Sequence, residues 1–383
     1  MVVLEKIKEG QTEVYVYKGD KISSELPVFY NPIMKFNRNI SVACISVFQK
    51  NFKKEITICD ALSASGIAGI RYLKEIKGVK EIWLNDKNPN AIELIKKNLS
   101  LHNIYLTEIE KNVWESSKFP KIIVTKKDAN VLLSENVFTV VDIDPFGSPA
   151  PFLDSAFRSC YWKGFLCITA TDTAPLCGTY PKACFRKYGI KSFRCDFEKE
   201  LGARILVSSI ILTGTKYEKA FIPVFTVYYK HFFRVFGKLS PKESEISKLL
   251  DKFNYISYCA HCGRRYLEIK THCKCGKKTQ ITGALYTGEL WDKKFVEELK
   301  NELEERGFNE EKTIVEKILE EIELQREFYY NTHFLSKITK KAPPSLDKLI
   351  STLNSLGYKA SRTHFDAKGI RTNAEYELLI KSF

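Results

Sequence analysis

The stretch Ile56-Thr57-Ile58-Cys59-Asp60-Ala61-Leu62-Ser63-Ala64-Ser65-Gly66 decides the fold. A short β-rich run ends on an acid, small residues follow, and an amphipathic stretch from Ile67 to Ile76 begins directly behind them. This is the signature of a strand turning into a helix, with a turn small enough for a ligand to come close. Outward from it the alternation repeats. Strands are expected at Glu81 to Asn85, Lys121 to Val124, Phe138 to Ile143 and Gly164 to Ala170, and Ala91, Ile92, Ile95 and Leu99 recur at helical spacing within Asn90 to Leu101. The β-rich stretch Pro223 to Phe236 suits a closing antiparallel hairpin. Together these predict a doubly wound α/β sheet over about Ile40 to Phe236.

The turn after Asp60 lacks the three glycines that bring backbone amides against a pyrophosphate, which argues against NAD or FAD. S-adenosyl-L-methionine carries no phosphate and needs only close approach. Asp86 ends the next strand, twenty positions beyond Gly66, where it can accept both ribose hydroxyls. Asp128 with Ala129 follows the third strand and can hold an adenine edge. Each acid alone reads equally as a cap or surface group; three in this order favour a cofactor site.

Asp144-Pro145-Phe146-Gly147 follows the run Phe138 to Ile143 and so sits at a strand's carboxyl end. It resembles the Asp/Asn-Pro-Pro-aromatic motif of amino methyltransferases. An exocyclic amine is a poor nucleophile because its lone pair is delocalised into the ring. A carboxylate accepting its N–H localises that pair and receives the proton. Asp144 fits this role, and Phe146 can stack on the target base. The plainer reading is a strand-ending turn with a packing phenylalanine.

Composition bounds the rest. With 383 residues, 44% of them hydrophobic, the chain is too long for one ordinary core. A formal charge of +14 points to a polyanionic partner. Met1 to Gly10 alternates apolar and charged residues, and no apolar run reaches membrane-spanning length, so a soluble cytoplasmic protein without a membrane is expected. Eleven cysteines are then reduced thiols. Cys259, Cys262, Cys273 and Cys275 have spacing suited to a structural tetrahedral Zn2+, with His261 or His272 as possible substitutes; a metal-free thiol cluster is the bland alternative.

The polar stretch Lys238 to Ser247 marks a boundary, dividing the chain into residues 1–237 and 238–383. From Asp292 to Glu327, thirteen acidic and seven basic residues lie on a helical pattern, read as a solvated surface. From Asn331 to Thr372 there are eight basic and two acidic residues, with Ser345 as N-cap of a helix through Leu356. This basic edge, Arg362, Lys368 and Arg371 in particular, is expected to meet phosphates, with Lys182, Arg186, Lys187 and Arg194 as the alternative seat.

Further motifs connect these observations: Pro27-Val28-Phe29-Tyr30-Asn31-Pro32 with Asn37-Arg38, the Asp60 turn ending at Ile70-Arg71, Asp144 to Pro149, Thr169 to Gly178, Tyr180 to Cys184, Arg362 to Phe365 and Gly369 to Thr372. In these the chain resembles the tRNA (guanine26-N2)-dimethyltransferase family. The resemblance implies a mixed seven-stranded S-adenosyl-L-methionine-dependent methyltransferase sheet joined to a zinc-bearing, basic, α+β tRNA-binding domain. It also implies methyl transfer to N2 of guanine 26 in tRNA, giving N2-methyl- and N2,N2-dimethylguanosine. Arg38, Arg71, Asp86, Asp128 and Ala129 would hold the methyl donor, Asp144 would be the catalytic carboxylate, and Phe29 and Phe146 would sandwich a flipped-out guanine. Two departures stand out: Asn39 follows Arg38 where the family usually has aspartate, and the second cysteine pair is one residue short. The rival readings are a DNA amino methyltransferase and a noncatalytic RNA-binding protein on the same fold. No protein partner is expected.

Overall fold

The computed structural model describes residues 3–19, 26–324 and 328–383, so Met1, Val2, Gln325, Arg326 and Glu327 of the stretches above lie outside the described residues. The chain opens with a hairpin, β1 (Val3–Glu9) and β2 (Thr12–Lys18), and then the buried helix α1 (Lys35–Phe52). The expected βα alternation follows: β3 (Ile56–Asp60), α2 (Ile67–Glu75), β4 (Val79–Asn85), α3 (Pro89–Ser100), β5 (Leu106–Glu110), β6 (Val113–Ser116), β7 (Lys121–Thr125), α4 (Ala129–Glu135), β8 (Phe138–Ile143), α5 (Leu153–Ser159) and β9 (Cys160–Ala170). Then come α6 (Thr173–Leu176), α7 (Pro181–Tyr188), α8 (Glu198–Thr215), β10 (Ala220–Tyr229) and β11 (Phe232–Ser240), the last two forming the expected antiparallel hairpin.

The sheet has nine strands in the order β10-β11-β9-β8-β3-β4-β7-β6-β5, not seven. Its centre is parallel, and an antiparallel extension closes each side. The two unforeseen strands, β5 and β6, form one edge. From β3 the chain winds outward through β4 to β7, then returns to the other side of β3 with β8 and β9. The winding reverses between β3 and β8, so a crevice opens at their carboxyl ends, which carry Asp60 and Asp144. Gly69 lets α2 lie close on β4, since a Cβ there would come 2.0 Å from Leu84.

Beyond the hairpin come α9 (Glu243–Leu250), the small sheet β12 (Phe253–Tyr258), β13 (Arg265–Tyr266) and β14 (Gln280–Tyr286), then α10 (Lys293–Glu305) and α11 (Asn309–Ile322). The chain ends with β15 (Tyr330–Asn331), α12 (Thr332–Thr339), α13 (Leu346–Ser355), β16 (Ala360–Arg362), β17 (Gly369–Thr372) and α14 (Tyr376–Ser382). Ser345 caps α13 by accepting from the Lys348 amide at 3.3 Å. Helices α10 and α11 lie on α1, through Lys50–Glu302 at 2.6 Å and Asn39–Glu311 at 2.8 Å, so Phe36 to Phe48 are buried on every side. One apolar core therefore runs from Val14 to Phe365, and β11 continues through Gly237 to Ser240.

The basic carboxyl-terminal edge needs correction. Arg371 does not face solvent: it is 1% exposed and pairs with Glu200 at 2.7 Å and Glu321 at 2.9 Å. The one charge of Gly369–Thr372 is therefore not available to a partner; β17 is the central strand of its sheet and is buried along its length. Arg362 is half-exposed and pairs with Asp347 at 2.9 Å.

Candidate active site

After β3 the turn is held in place by its neighbours. The Ser63 hydroxyl donates to the Asp60 carbonyl at 2.9 Å, and the Ala64 amide donates to Asp86 Oδ2 at 2.9 Å. Gly66 takes a φ of 77° as the N-cap immediately before α2. The other Asp86 oxygen accepts from the Asn88 amide at 2.9 Å. The half-buried Asp86 therefore fixes the turn to the end of β4. Asp128 is exposed and caps α4, accepting from Asn130 N at 2.8 Å, while Ala129 behind it is buried. The three strand-end positions expected from the sequence thus line one crevice edge.

Asp144 stands half-buried at the end of β8. Its Oδ2 accepts from Asn37 Nδ2 at 3.0 Å, and a hydrogen bond with Thr169 also favours its charged form. Beneath it lies a buried charged layer. Arg234 pairs with Asp142 at 2.8 Å and donates to Thr169 Oγ1 at 2.7 Å and Ser41 Oγ at 2.8 Å. Tyr72 donates to Asp142 Oδ2 at 2.5 Å. Burial raises the Asp144 carboxyl above its ordinary range, Arg234 draws it back down, and the charge of Asp142 adds to the rise. Asp60 faces Asp142 across the β3–β8 ladder, and burial together with that neighbour pushes it up to about 8. Asn37, Thr169 and Arg234 are residues to which sequence reading gave no role; the Asn37-Arg38 and Thr169 to Gly178 motifs contain the first two, and no motif marks Arg234.

Phe29 and Phe146 are together, but not as parallel faces. Their ring centroids lie 4.5 Å apart at 88°, edge to face. A guanine between them requires the rings to part; Phe146 is 69% exposed on its loop.

Arg38 and Arg71 are both buried and both engaged. Arg38 makes two bonds to Glu9, at 2.8 and 2.6 Å, and Arg71 makes two to Glu75, at 2.8 and 3.0 Å. Arg71 Nη1 is nevertheless a buried donor with no hydrogen-bond partner, 3.6 Å from Glu9. An unpartnered guanidinium N–H suits the carboxylate of S-adenosyl-L-methionine, and the small-residue turn suits its close approach. Glu75 was legible as an i,i+4 partner of Arg71; Glu9 carried no signal. A separate cavity of about 430 Å³, lined by Phe36, Tyr229, Lys230, Arg306 and Glu310 among others, contains none of the expected site residues.

The ligand atoms of Cys259, Cys262, Cys273 and Cys275 all lie within 4.8 Å of one another. The sulfurs of Cys259 and Cys275 are 3.6 Å apart and those of Cys262 and Cys273 3.4 Å apart. A tetrahedron of Zn–S bonds has edges of about 3.8 Å. The shortened second pair still closes, and four cysteines suit the ion; His261 Nδ1 stands 4.0 Å from Cys275 Sγ, beside the cluster.

The family described as TRM: N2,N2-dimethylguanosine tRNA methyltransferase matches residues 5–383. The tRNA (guanine(26)-N(2))-dimethyltransferase of Methanosphaera stadtmanae is 35% identical, over 96% of this chain and 93% of the relative. The tRNA (guanine(26)-N(2)/guanine(27)-N(2))-dimethyltransferase of Aquifex aeolicus is 36% identical over 99% and 95% respectively. Among solved structures, Trm1 from Pyrococcus horikoshii in complex with S-adenosyl-L-methionine superposes with a TM-score of 0.89 at 35% identity, covering 99% of each chain.

Proposed function

We propose how the crevice works from the premise that this chain belongs to the N2,N2-dimethylguanosine tRNA methyltransferase family, and is an S-adenosyl-L-methionine-dependent tRNA (guanine26-N2)-dimethyltransferase. The bound donor supplies an electrophilic methyl group. Asp86 holds the ribose end, Asp128 and Ala129 border the adenine, and Arg71, with Arg38 behind Glu9, faces the carboxylate. Phe29 and Phe146 take the flipped guanine between them. Asp144 accepts the N2–H through Oδ1 while Asn37 holds Oδ2, localising the nitrogen lone pair for in-line attack on the methyl. As the N2–C bond forms, the methyl–sulfur bond of the donor would break to leave the thioether S-adenosyl-L-homocysteine and the proton would pass from N2 to Asp144; a second donor molecule and a second round would give the dimethylated base. Residues 1–237 carry this chemistry, and residues 238–383, steadied by zinc on the four cysteines, receive the tRNA.

The observation that carries this reading is the hydrogen bond from Asn37 to Asp144 at the crevice where the winding reverses. To test it, purified protein, S-adenosyl-L-methionine and unmodified tRNA transcript are incubated, and the digested nucleosides are located by mass spectrometry. N2-methylated guanosine at position 26 is expected. Methylation of DNA alone, or of no polymer, overturns the reading.

A further inference from the structure

Between Asp172 and Asp196 the chain carries Lys182, Arg186, Lys187, Lys191 and Arg194 and no acid. This segment holds α7, which is fastened to the catalytic loop. Tyr188 donates to Asp172 Oδ1 at 2.6 Å, Ser148 donates to the Tyr188 oxygen at 2.9 Å, and Lys187 pairs with Asp172 at 2.8 Å. Cys184 and Tyr188, one turn apart, face the core. Lys182, Phe185 and Arg186 share the opposite face by i,i+3 and i,i+4 spacing. Phe185 is 60% exposed, and so is Tyr180 at the head of the helix. Lys187 and Arg194 are occupied by Asp172 and Glu198, whereas among the described residues Lys182, Arg186 and Lys191 have no acidic partner.

We propose that the outer face of α7 receives the RNA strand beside the base being methylated. Lys182 and Arg186 meet its phosphates, and Phe185 and Tyr180 lie against bases that lose a stacking neighbour when the guanine flips out. This rests on the function given above. Three unpaired cations without an opposing acid fit a polyanion, and exposed rings among them fit unstacked bases, which every nucleotide presents. The ties through Tyr188 and Lys187 hold this face in register with Phe146, so a strand gripped here has its neighbouring base at the crevice.

The test uses the full chain and an unmodified tRNA transcript in a salt series, with S-adenosyl-L-methionine affinity measured by calorimetry. For Lys182→Ala/Arg186→Ala, tRNA affinity at low salt falls about ten-fold or more and the log–log salt slope becomes shallower by roughly 1.4–1.8. For Phe185→Ala, affinity falls roughly five-fold or more with the slope unchanged. Donor affinity stays within about two-fold in both. If the wild type neither binds nor methylates tRNA, the functional reading fails. If it does both while the double variant keeps its affinity and slope, the α7 surface is wrong. Should the alanine pair lose donor binding as well, Lys182→Gln/Arg186→Gln, which keeps the side-chain stems, carries the same comparison.

Discussion

A carboxylate that takes a proton from an aromatic amine must be ionised and still basic, and Asp144 is subject to both demands. Burial raises its pKa, while Arg234 and the hydrogen bond from Asn37 favour the charged form. Asp144→Ala is expected to abolish methyl transfer in single-turnover assays while calorimetric affinity for S-adenosyl-L-methionine stays within a few fold; surviving turnover removes the assignment. Asn37→Ala takes away one donor to the carboxylate, so the acid limb of the pH–rate profile should move to higher pH. Activity then falls more at pH 6 than at pH 8.5, whereas an equal loss at both would mean Asn37 only supports the fold. Asp60 gives a stability test. Its folded pKa of about 8 lies above the unfolded value of about 3.9, so its contribution is fully present below the unfolded value and is lost as pH rises through 8. The melting temperature of Asp60→Asn should therefore gain on the wild type from pH 5 to pH 8.5 and level off beyond; parallel curves would refute the shift. Asp86, Asp128 and Asp144 were legible because each closes a recognisable strand. Asn37 was not, because its partner lies 107 residues away and only the packing of α1 on the sheet brings them together.

At the scale of elements, legibility followed burial. The central strands announced themselves through apolar runs, because parallel strands are covered on both faces. The edge strand β5 reads Leu-Thr-Glu-Ile-Glu and exposes four of its five residues, so no buried face marked it in the sequence. The cysteine module shows the converse: ligand spacing made it visible without any core. Two turns present the thiols, each closed by a glycine with positive φ, Gly263 and Gly276, and the Gly276 amide donates to the Cys273 carbonyl at 2.8 Å. Elemental analysis should find about one zinc per chain, lost in Cys259→Ser. The module lies far along the chain from the β3 turn, so the variant should keep donor affinity and lose tRNA affinity. Metal-free protein with full tRNA affinity would contradict the role given to this element.

Across the whole molecule, the composition changes near Lys238 while β11 runs on to Ser240 and one core spans both sides, because composition carries no information about what packs on what. Helices α10 and α11 cover α1, and the carboxyl-terminal sheet is tied to α8 by buried charges. Arg371 on β17 bridges Glu200 on α8 and Glu321 on α11, Glu321 accepts from the Thr363 hydroxyl, and its Oε1 stands 2.7 Å from His364 Nδ1. Burial alone would raise the Glu200 carboxyl, but Arg371 and Arg204 together bring it down to about 2. Arg371 was expected at the RNA; its place between two buried acids makes it part of the joint between the two halves of the chain. Removing one member of such a set leaves charge buried without its counterpart, so Arg371→Ala should destabilise the protein by roughly 3–5 kcal/mol. Its effect on the salt dependence of tRNA binding, measured below the melting transition, should be nil. Arg362 provides the contrast. Its pair with Asp347 is exposed on both sides and contributes about 0–1 kcal/mol. Arg362→Ala should therefore leave the melting curve nearly unchanged, and any change it makes will be in tRNA affinity. A shallower salt slope with an unaltered melting temperature for Arg371→Ala would return that arginine to the RNA surface and dissolve the joint.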